Sequence, residues 1–242
     1  MKNFKVIVME TLKTKLGLLF LGLFLISVTS CTHKTNKIDS TTSLMKEISS
    51  RYYGKWFTHI KLSQIADTYE NDSLVKSEVN DEEYYFPSYL IIYRTPGDTS
   101  NRYICRNDSV LIYENNVLIS EEKATHDAII LSMDIYNMTY EEIMKRLGDL
   151  EYDINKFHET TYNGRKVYVM GAEKGDTSSY QAWFDAEHLY LIRVIRPSEK
   201  GIREAELTDY IQLEKGWIEQ GYILKRNGKI YLKERYFNIS LE

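Results

Sequence analysis

The sequence predicts an α+β fold in which helices cover one side of a large antiparallel sheet. Three observations carry that expectation. Apolar residues recur at helical spacing after residue 44 and again near residue 140, and most of the remaining chain consists of extended runs rich in aromatic and β-branched residues. Two Asn-Gly pairs, Asn163-Gly164 and Asn227-Gly228, separate such runs, and a tight hairpin turn needs the positive φ that these residues tolerate.

The folded part opens with Leu44, Met45, Ile48 and Tyr52, which line one face of a helix that Gly54 ends. From Trp56 the period changes. Residues 56–70, 88–96, 102–108 and 109–122 read as successive antiparallel strands, the last run folded at Glu114 to Asn116 because Asn accepts a left-handed backbone. The acidic stretch "NDEEYYFP" reads as a solvated loop, with Glu82 and Glu83 in water rather than in a catalytic site. In "MTYEEIMKRLG" the pair Thr139 and Glu142 forms a capping box, in which each side chain satisfies a free backbone N–H at the helix start, and Gly148 suits the helix end. The preceding "HDAIILSMDIY" places Ala128, Leu131, Ser132 and Ile135 on one face of a second helix. Six strands in a row, joined by short turns, then complete an antiparallel meander.

The strands of that meander are apolar on both faces. Leu189, Leu191, Arg193 and Ile195 fall on one side and Tyr190, Ile192 and Val194 on the other, while Val167 and Val169 oppose Tyr168 and Met170. A sheet with one wet face alternates apolar and polar residues, so this one must be covered twice. The helices cover one face; an apolar cavity, a second sheet layer or a dimer would cover the other. Asp185, Glu187 and His188, close together in "DAEH", belong to a hairpin connection, where short polar residues serve the turn rather than acid-base chemistry.

The N-terminus places the protein. Lys2, Lys5, Lys13 and Lys15 precede the run Leu16 to Val28, roughly 13 residues against the ~20 that a spanning helix needs, so residues 1–30 read as a signal peptide. The start is Met1 or Met9. "LISVTSC" resembles the lipobox of bacterial lipoproteins, in which the cysteine is acylated and becomes the first mature residue; Cys31 is the expected lipidation site. Each buried methylene adds ~0.8 kcal/mol, so two or three chains anchor a protein on a membrane without spanning it. Residues 31–43 then form the lipidated cysteine and a polar tether, and 44–242 a single domain. No aspartate follows Cys31. By resemblance to Gram-negative lipoproteins, that implies the outer membrane, and the lack of a dense acidic cluster after the cysteine implies its periplasmic face.

Charge and motifs exclude other classes. The chain carries -4 and the leader +3, so the mature part carries -7, a poor match for nucleic acid. With Cys31 acylated only Cys105 remains, leaving no internal disulfide, and a lone strand cysteine is a small buried hydrophobe. G-x-S-x-G, a phosphate-binding glycine loop, H-E-x-x-H and C-x-x-C are all missing from the sequence, and its 5 histidines stand singly, so neither catalytic residues nor a metal or other cofactor is expected. Charges such as Glu219, Lys233 and Arg235 interrupt strands that would face lipid in an outer-membrane barrel.

The order of elements, with "YNGRKVYVMGAEKG", "YQAWFDAEHLYLIRVI" and "LTDYIQLEKGWIEQGYILKRNGKIYLKE", resembles the LolA/LolB superfamily of lipoprotein-sorting proteins over residues 44–240. The resemblance implies a strongly curved, unclosed β-barrel, an N-terminal helix and a central helical pair covering one side, and a concave face that binds acyl chains without chemistry. Two departures stand. The family's soluble carrier is not lipid-anchored, and no apolar loop tip matching the receptor's membrane-probing leucine is legible here. The expected function is therefore a non-enzymatic envelope lipoprotein that binds an acyl chain, a lipid or a lipoprotein's lipid moiety. Its expected lining is Tyr168, Met170, Tyr190, Ile192, Val194, Trp217 and Tyr222. The 20 tyrosines leave an alternative, a glycan- or protein-binding surface that uses exposed rings and would engage other envelope proteins. Trp217, Tyr222, Tyr231 and Tyr236 discriminate: exposed on one flat face they favour glycan, lining a concavity with Leu and Ile they favour lipid.

Overall fold

The computed structural model describes residues 37–242, apart from residue 107; Cys31 and the leader lie outside the described residues. Helix α1 (Thr41–Tyr52) starts at a capping box in which the Ser40 hydroxyl accepts from the Ser43 N–H at 3.1 Å while Ser43 Oγ accepts from the Ser40 N–H at 3.0 Å. The helix thus begins inside the stretch assigned to the tether, because Ser40 and Ser43 are capping residues and not linker. Leu44, Met45, Ile48 and Tyr52 are all buried, and Gly54 takes the left-handed φ of 69° just beyond the helix.

A long meander follows: β1 (His59–Glu70), β2 (Ser73–Tyr85), β3 (Tyr89–Thr95), β4 (Asp98–Arg106), β5 (Ser109–Glu114) and β6 (Val117–Lys123). Strand β2 replaces the expected acidic loop. Its alternation was hidden because Asn80, Glu82 and Tyr84 turn inward while Asp81, Glu83 and Tyr85 turn out, so both faces carry polar residues. The turn before it uses Asn71 and Asp72 at φ 47° and 63°. After β6 the chain forms α2 (Asp127–Ser132), a 3₁₀ turn (Asp134–Asn137) and α3 (Tyr140–Asp149). The Thr139 and Glu142 capping box is present, whereas Gly148 stays within α3 and the left-handed residue is Glu151.

Strands β7 (Phe157–Tyr162), β8 (Arg165–Met170), β9 (Gln181–Asp185), β10 (Leu191–Ser198) and β11 (Gly201–Thr208) return as a second meander. A small hairpin, β12 (Ile211–Leu213) with β13 (Gly216–Ile218), interrupts it before β14 (Gly221–Arg226) and β15 (Lys229–Leu241). The last strand pairs with the first, from Ile60 opposite Leu241 to Thr68 opposite Leu232, which joins the two meanders into one antiparallel sheet of 13 strands. It is not closed: β6 and β7 are its two edges. That order has a topological consequence. The segment between β6 and β7 must travel from one edge to the other, so it crosses a whole face of the sheet and lays α2, the 3₁₀ turn and α3 over it. α1 packs against the 3₁₀ turn and α3, completing the cover.

The main core lies between this cover and the sheet, and includes Ile60, Leu62, Met170, Phe184, Leu191 and Leu207 below and Leu131, Ile135, Ile143 and Leu147 above. A second, smaller cluster of Val167, Val169, Tyr190 and Ile192 occupies the outer face, where Trp217 and Tyr210 from the β12–β13 excursion pack on it. Of the covers that the two-sided apolar pattern allowed, a second sheet layer is the one present, as a two-stranded hairpin. The chain departs from the sheet at Asp209, whose φ is 55°.

Candidate functional site

The "DAEH" connection is a structural corner. Asp185 Oδ1 accepts from the N–H groups of Glu187 at 2.9 Å and His188 at 2.7 Å, the hydrogen bonds of a turn, and Asp185 is buried. Tyr136 donates its hydroxyl to the Leu189 carbonyl at 3.0 Å and accepts the Leu191 N–H at 3.1 Å, while the Tyr52 and Tyr210 hydroxyls donate to the His188 and Leu191 carbonyls. Trp56 stacks on Tyr136 at 4.1 Å. Three tyrosines thus hold one β-corner in place, which accounts for part of the tyrosine excess.

The seven expected lining residues do not share a surface. Tyr168, Met170, Val194 and Tyr222 turn to the helix-covered face; Tyr190 and Ile192 sit in the outer cluster with Trp217 against them. Tyr168 opposes Phe184 and Phe184 opposes Leu191, which sets Tyr168 and Met170 on the face away from Tyr190 and Ile192, and a β-bulge in β10 moves Val194 to that same face. Leu191 opposes Phe184 and Arg193 opposes Trp183, so Ile192 is the extra residue, and strict alternation, which put Tyr190, Ile192 and Val194 together, fails there. Tyr168 and Met170 are packed into the core, with Tyr168 stacked on Phe157. Of the seven, Val194 and Tyr222 line cavities on the helix-covered face: Tyr222 lines a cavity beneath α2 and both line a crevice of about 20 Å³ beside it.

That cavity, of about 290 Å³, lies between α2 and strands β1 to β4, β11, β14 and β15. Its apolar wall is Leu90, Ile92, Leu224 and Leu232, with the rings of Tyr84, Tyr222 and Tyr236. Volumes from ~300 Å³ are typical of small-ligand pockets, and this one is at the lower limit. Its polar wall was not expected from sequence. Glu82 is 2 % exposed and Glu219 5 % exposed, and Glu234 joins them from β15. Burial pushes the Glu82 carboxyl up to about 8, helped by Glu234 and opposed by the Tyr84 hydroxyl that donates to it at 2.7 Å. Burial likewise raises Glu219 to about 7, and Glu234 to about 7 against hydrogen bonds from Tyr236 and Gln64. Near neutral pH all three therefore carry protons for much of the time. Cys105 also faces the cavity, and burial raises its thiol to about 11, which disfavours the thiolate.

Asp127 on α2 is engaged already, by the Tyr152 hydroxyl at 3.1 Å and the Arg196 guanidinium at 3.2 Å. Among the described residues no three His, Cys, Asp or Glu side chains converge as a metal site would, and no helix is long and apolar enough to cross a membrane. Exposed apolar side chains gather beside two turns, Leu74 and Val75 after Asn71-Asp72 and Val117, Leu118 and Ile119 after Asn115-Asn116. In an up-and-down meander these two turns stand at the same end of the sheet.

Solved structures match this architecture over most of the chain. A DUF1329 family protein from Desulfovibrio piger superposes with a TM-score of 0.55 at 11 % identity, covering 84 % of this chain and 92 % of that one. A domain from Vibrio parahaemolyticus, provisionally assigned to outer membrane lipoprotein sorting, gives 0.54 at 14 % identity, covering 83 % and 92 %. A LolA superfamily protein of Nitrosomonas europaea gives 0.51 at 9 % identity, covering 85 % and 94 %. The chain has the LolA-like fold. No protein-family model and no curated protein matches it by sequence.

Proposed function

We propose that this protein is a non-enzymatic lipoprotein of the bacterial envelope, which holds a hydrophobic or amphiphilic ligand in the cavity beneath α2. One observation carries the reading: the helix-covered side of a LolA-like sheet is not filled throughout, but leaves about 290 Å³ walled by Leu, Ile and Tyr side chains. Tyr222 and Tyr236 line that concavity beside Leu224 and Leu232, which favours lipid over the glycan alternative. Trp217 and Tyr231 do not extend a flat aromatic face, since the His188 ring lies tilted against Trp217 at 4.3 Å and the Arg226 guanidinium lies over Tyr231. The LolA-like fold of proteins linked to lipoprotein sorting supports the same class of ligand.

Native mass spectrometry with lipid extraction tests it, on protein produced from the full-length chain with Cys31→Ala. A stoichiometric lipid or fatty-acyl compound is expected to co-purify, and to fall at least tenfold in Leu224→Trp, which fills the cavity, but not in Leu118→Ser on an exposed hairpin. A protein empty of ligand that also ignores added fatty acids, amines and lipopeptides would overturn the proposal.

The same proposal places the protein on the periplasmic face of the outer membrane through acylated Cys31, with Leu74, Val75 and Val117 to Ile119 as apolar residues able to touch lipid. Cells expressing the wild-type chain are expected to incorporate labelled palmitate into it, and Cys31→Ala is expected to abolish the label and release the protein from the membrane fraction. Label retained in that variant would exclude Cys31 as the anchor.

A further inference from the structure

The chemistry of the cavity narrows its ligand further, on the premise that the cavity is the ligand site. Three carboxyl groups from three elements face one space: Glu82 of β2, Glu234 of β15 and Glu219 from the link between β13 and β14. Glu82 and Glu234 each accept a tyrosine hydroxyl, at 2.7 Å from Tyr84 and 2.8 Å from Tyr236. Glu219 differs. Its Oε2 is buried and has no hydrogen-bond partner in the protein. An unsatisfied buried acceptor costs roughly 1–3 kcal/mol, and here it lines a space that would hold about ten waters at ~30 Å³ each. A donor group of a ligand belongs at that position.

The identity of the donor follows from what surrounds it. A single metal ion is a poor match, because the acidic groups do not converge on one point. A ligand carboxylate would have to share the glutamates' protons and would be repelled wherever one of them ionises. An ammonium group suits both walls: its three N–H donors match separate carboxylate oxygens, and the faces of Tyr84, Tyr222 and Tyr236 attract a cation. Behind it, Leu90, Ile92, Leu224 and Leu232 supply apolar contact for an alkyl chain. We propose that the cavity binds a cationic amphiphile, with its primary ammonium group donating to Glu219 and Glu234 and its alkyl part against the leucines.

Binding of this kind is linked to protons. Burial keeps the three carboxyls largely protonated near neutral pH, so an incoming ammonium displaces protons and its affinity rises as pH rises. The other titratable groups facing the cavity do not reverse that sign. His126, just before α2, is lowered by burial, Asp127 is paired with Arg196, Cys105 and the three tyrosines are raised by burial and stay protonated, and Arg203 of β11 is exposed.

The test titrates n-decylamine, decanoate and 1-decanol against protein made from the full-length Cys31→Ala chain, by calorimetry at pH 6 and pH 8.5. Decylamine is expected to bind at least tenfold more tightly than decanol at pH 8.5, to weaken several-fold at pH 6, and to release protons on binding, while decanol is unchanged by pH. Glu219→Gln and Glu219→Gln/Glu234→Gln are expected to erase the amine preference while still binding decanol, which shows that they fold. Decanoate or decanol binding as well as decylamine would overturn the inference and leave the cavity reading standing. Binding of none of the three would overturn both, and would assign the Glu219 oxygen to water.

Discussion

Stability is expected to fall as pH rises from 5 to 8.5. In the unfolded chain a glutamate titrates near ~4.3, whereas burial holds Glu82 at about 8 and Glu219 and Glu234 at about 7 in the fold. Between those values the folded protein retains protons that the unfolded chain has lost, so each added pH unit favours unfolding until the folded groups ionise. The contribution of neutral carboxyls is fully present below about pH 4 and is gone above about pH 8. Taken alone, the rise corresponds to roughly 5 kcal/mol for Glu82 and roughly 4 kcal/mol for Glu219 or Glu234, and because the three interact, the combined loss is expected to fall well short of their sum. Asp134, raised by burial to about 6, acts in the same direction over the lower part of the window.

Asp176 has the opposite sign. Hydrogen bonds from Ser179 and Ser178 pull its carboxyl well down, so its contribution is lost only as pH falls below the ordinary carboxylate range. Stability should therefore be greatest near pH 5. Urea unfolding at pH 5, 7 and 8.5 measures the slope. Glu82→Gln, whose side-chain carbonyl still accepts the Tyr84 hydroxyl, is expected to leave the midpoint at pH 5 nearly unchanged and to raise it at pH 8.5. A flat profile in the wild type would mean that water reaches these carboxyls.

Tyr136→Phe is expected to cost about 2–4 kcal/mol although it removes one oxygen atom. The Tyr136 hydroxyl both donates to the Leu189 carbonyl and accepts the Leu191 N–H, at the corner where β9 turns into β10. The side chain is fully buried, so those backbone groups meet no water when the hydroxyl is gone, and an unmet buried hydrogen-bonding group costs roughly 1–3 kcal/mol. For a domain of this size the loss corresponds to a fall in Tm of roughly 5–10 °C. Tyr53→Phe, at an exposed position immediately after α1, should change Tm by less than about 1 °C. Equal effects of the two substitutions would show that the corner does not depend on the Tyr136 hydroxyl.

How much of this was legible in the sequence differs from element to element. Local chemistry was readable wherever it is self-contained: the face Leu44, Met45, Ile48 and Tyr52, the Thr139 and Glu142 capping box, and the Asn163-Gly164 and Asn227-Gly228 turns all stand as expected. The apolar pattern on both sides of β8 and β10 correctly demanded two covers. Strand β2 was missed because Asn80, Glu82 and Tyr84 carry polar groups that only a cavity with partners of its own allows inside. The cavity acids were missed for the same reason. Glu82 looked solvated, Glu219 drew notice only as a charge that interrupts a strand, and Glu234 drew none, since nothing in their neighbours along the chain tells whether water is present.

The sequence by itself determined the fold class, the positions of most turns and caps, and the need for an apolar interior on both sides of the closing meander, because each depends on residues a few positions apart. Tertiary structure alone decided which residues share the cavity. The β10 bulge moves Val194 to the helix-covered face, the pairing of β15 with β1 brings Glu234 beside Gln64, and the edge-to-edge crossing of the helices puts α2 over both. Those are consequences of register and topology, and a one-residue slip in register exchanges the two faces of a strand.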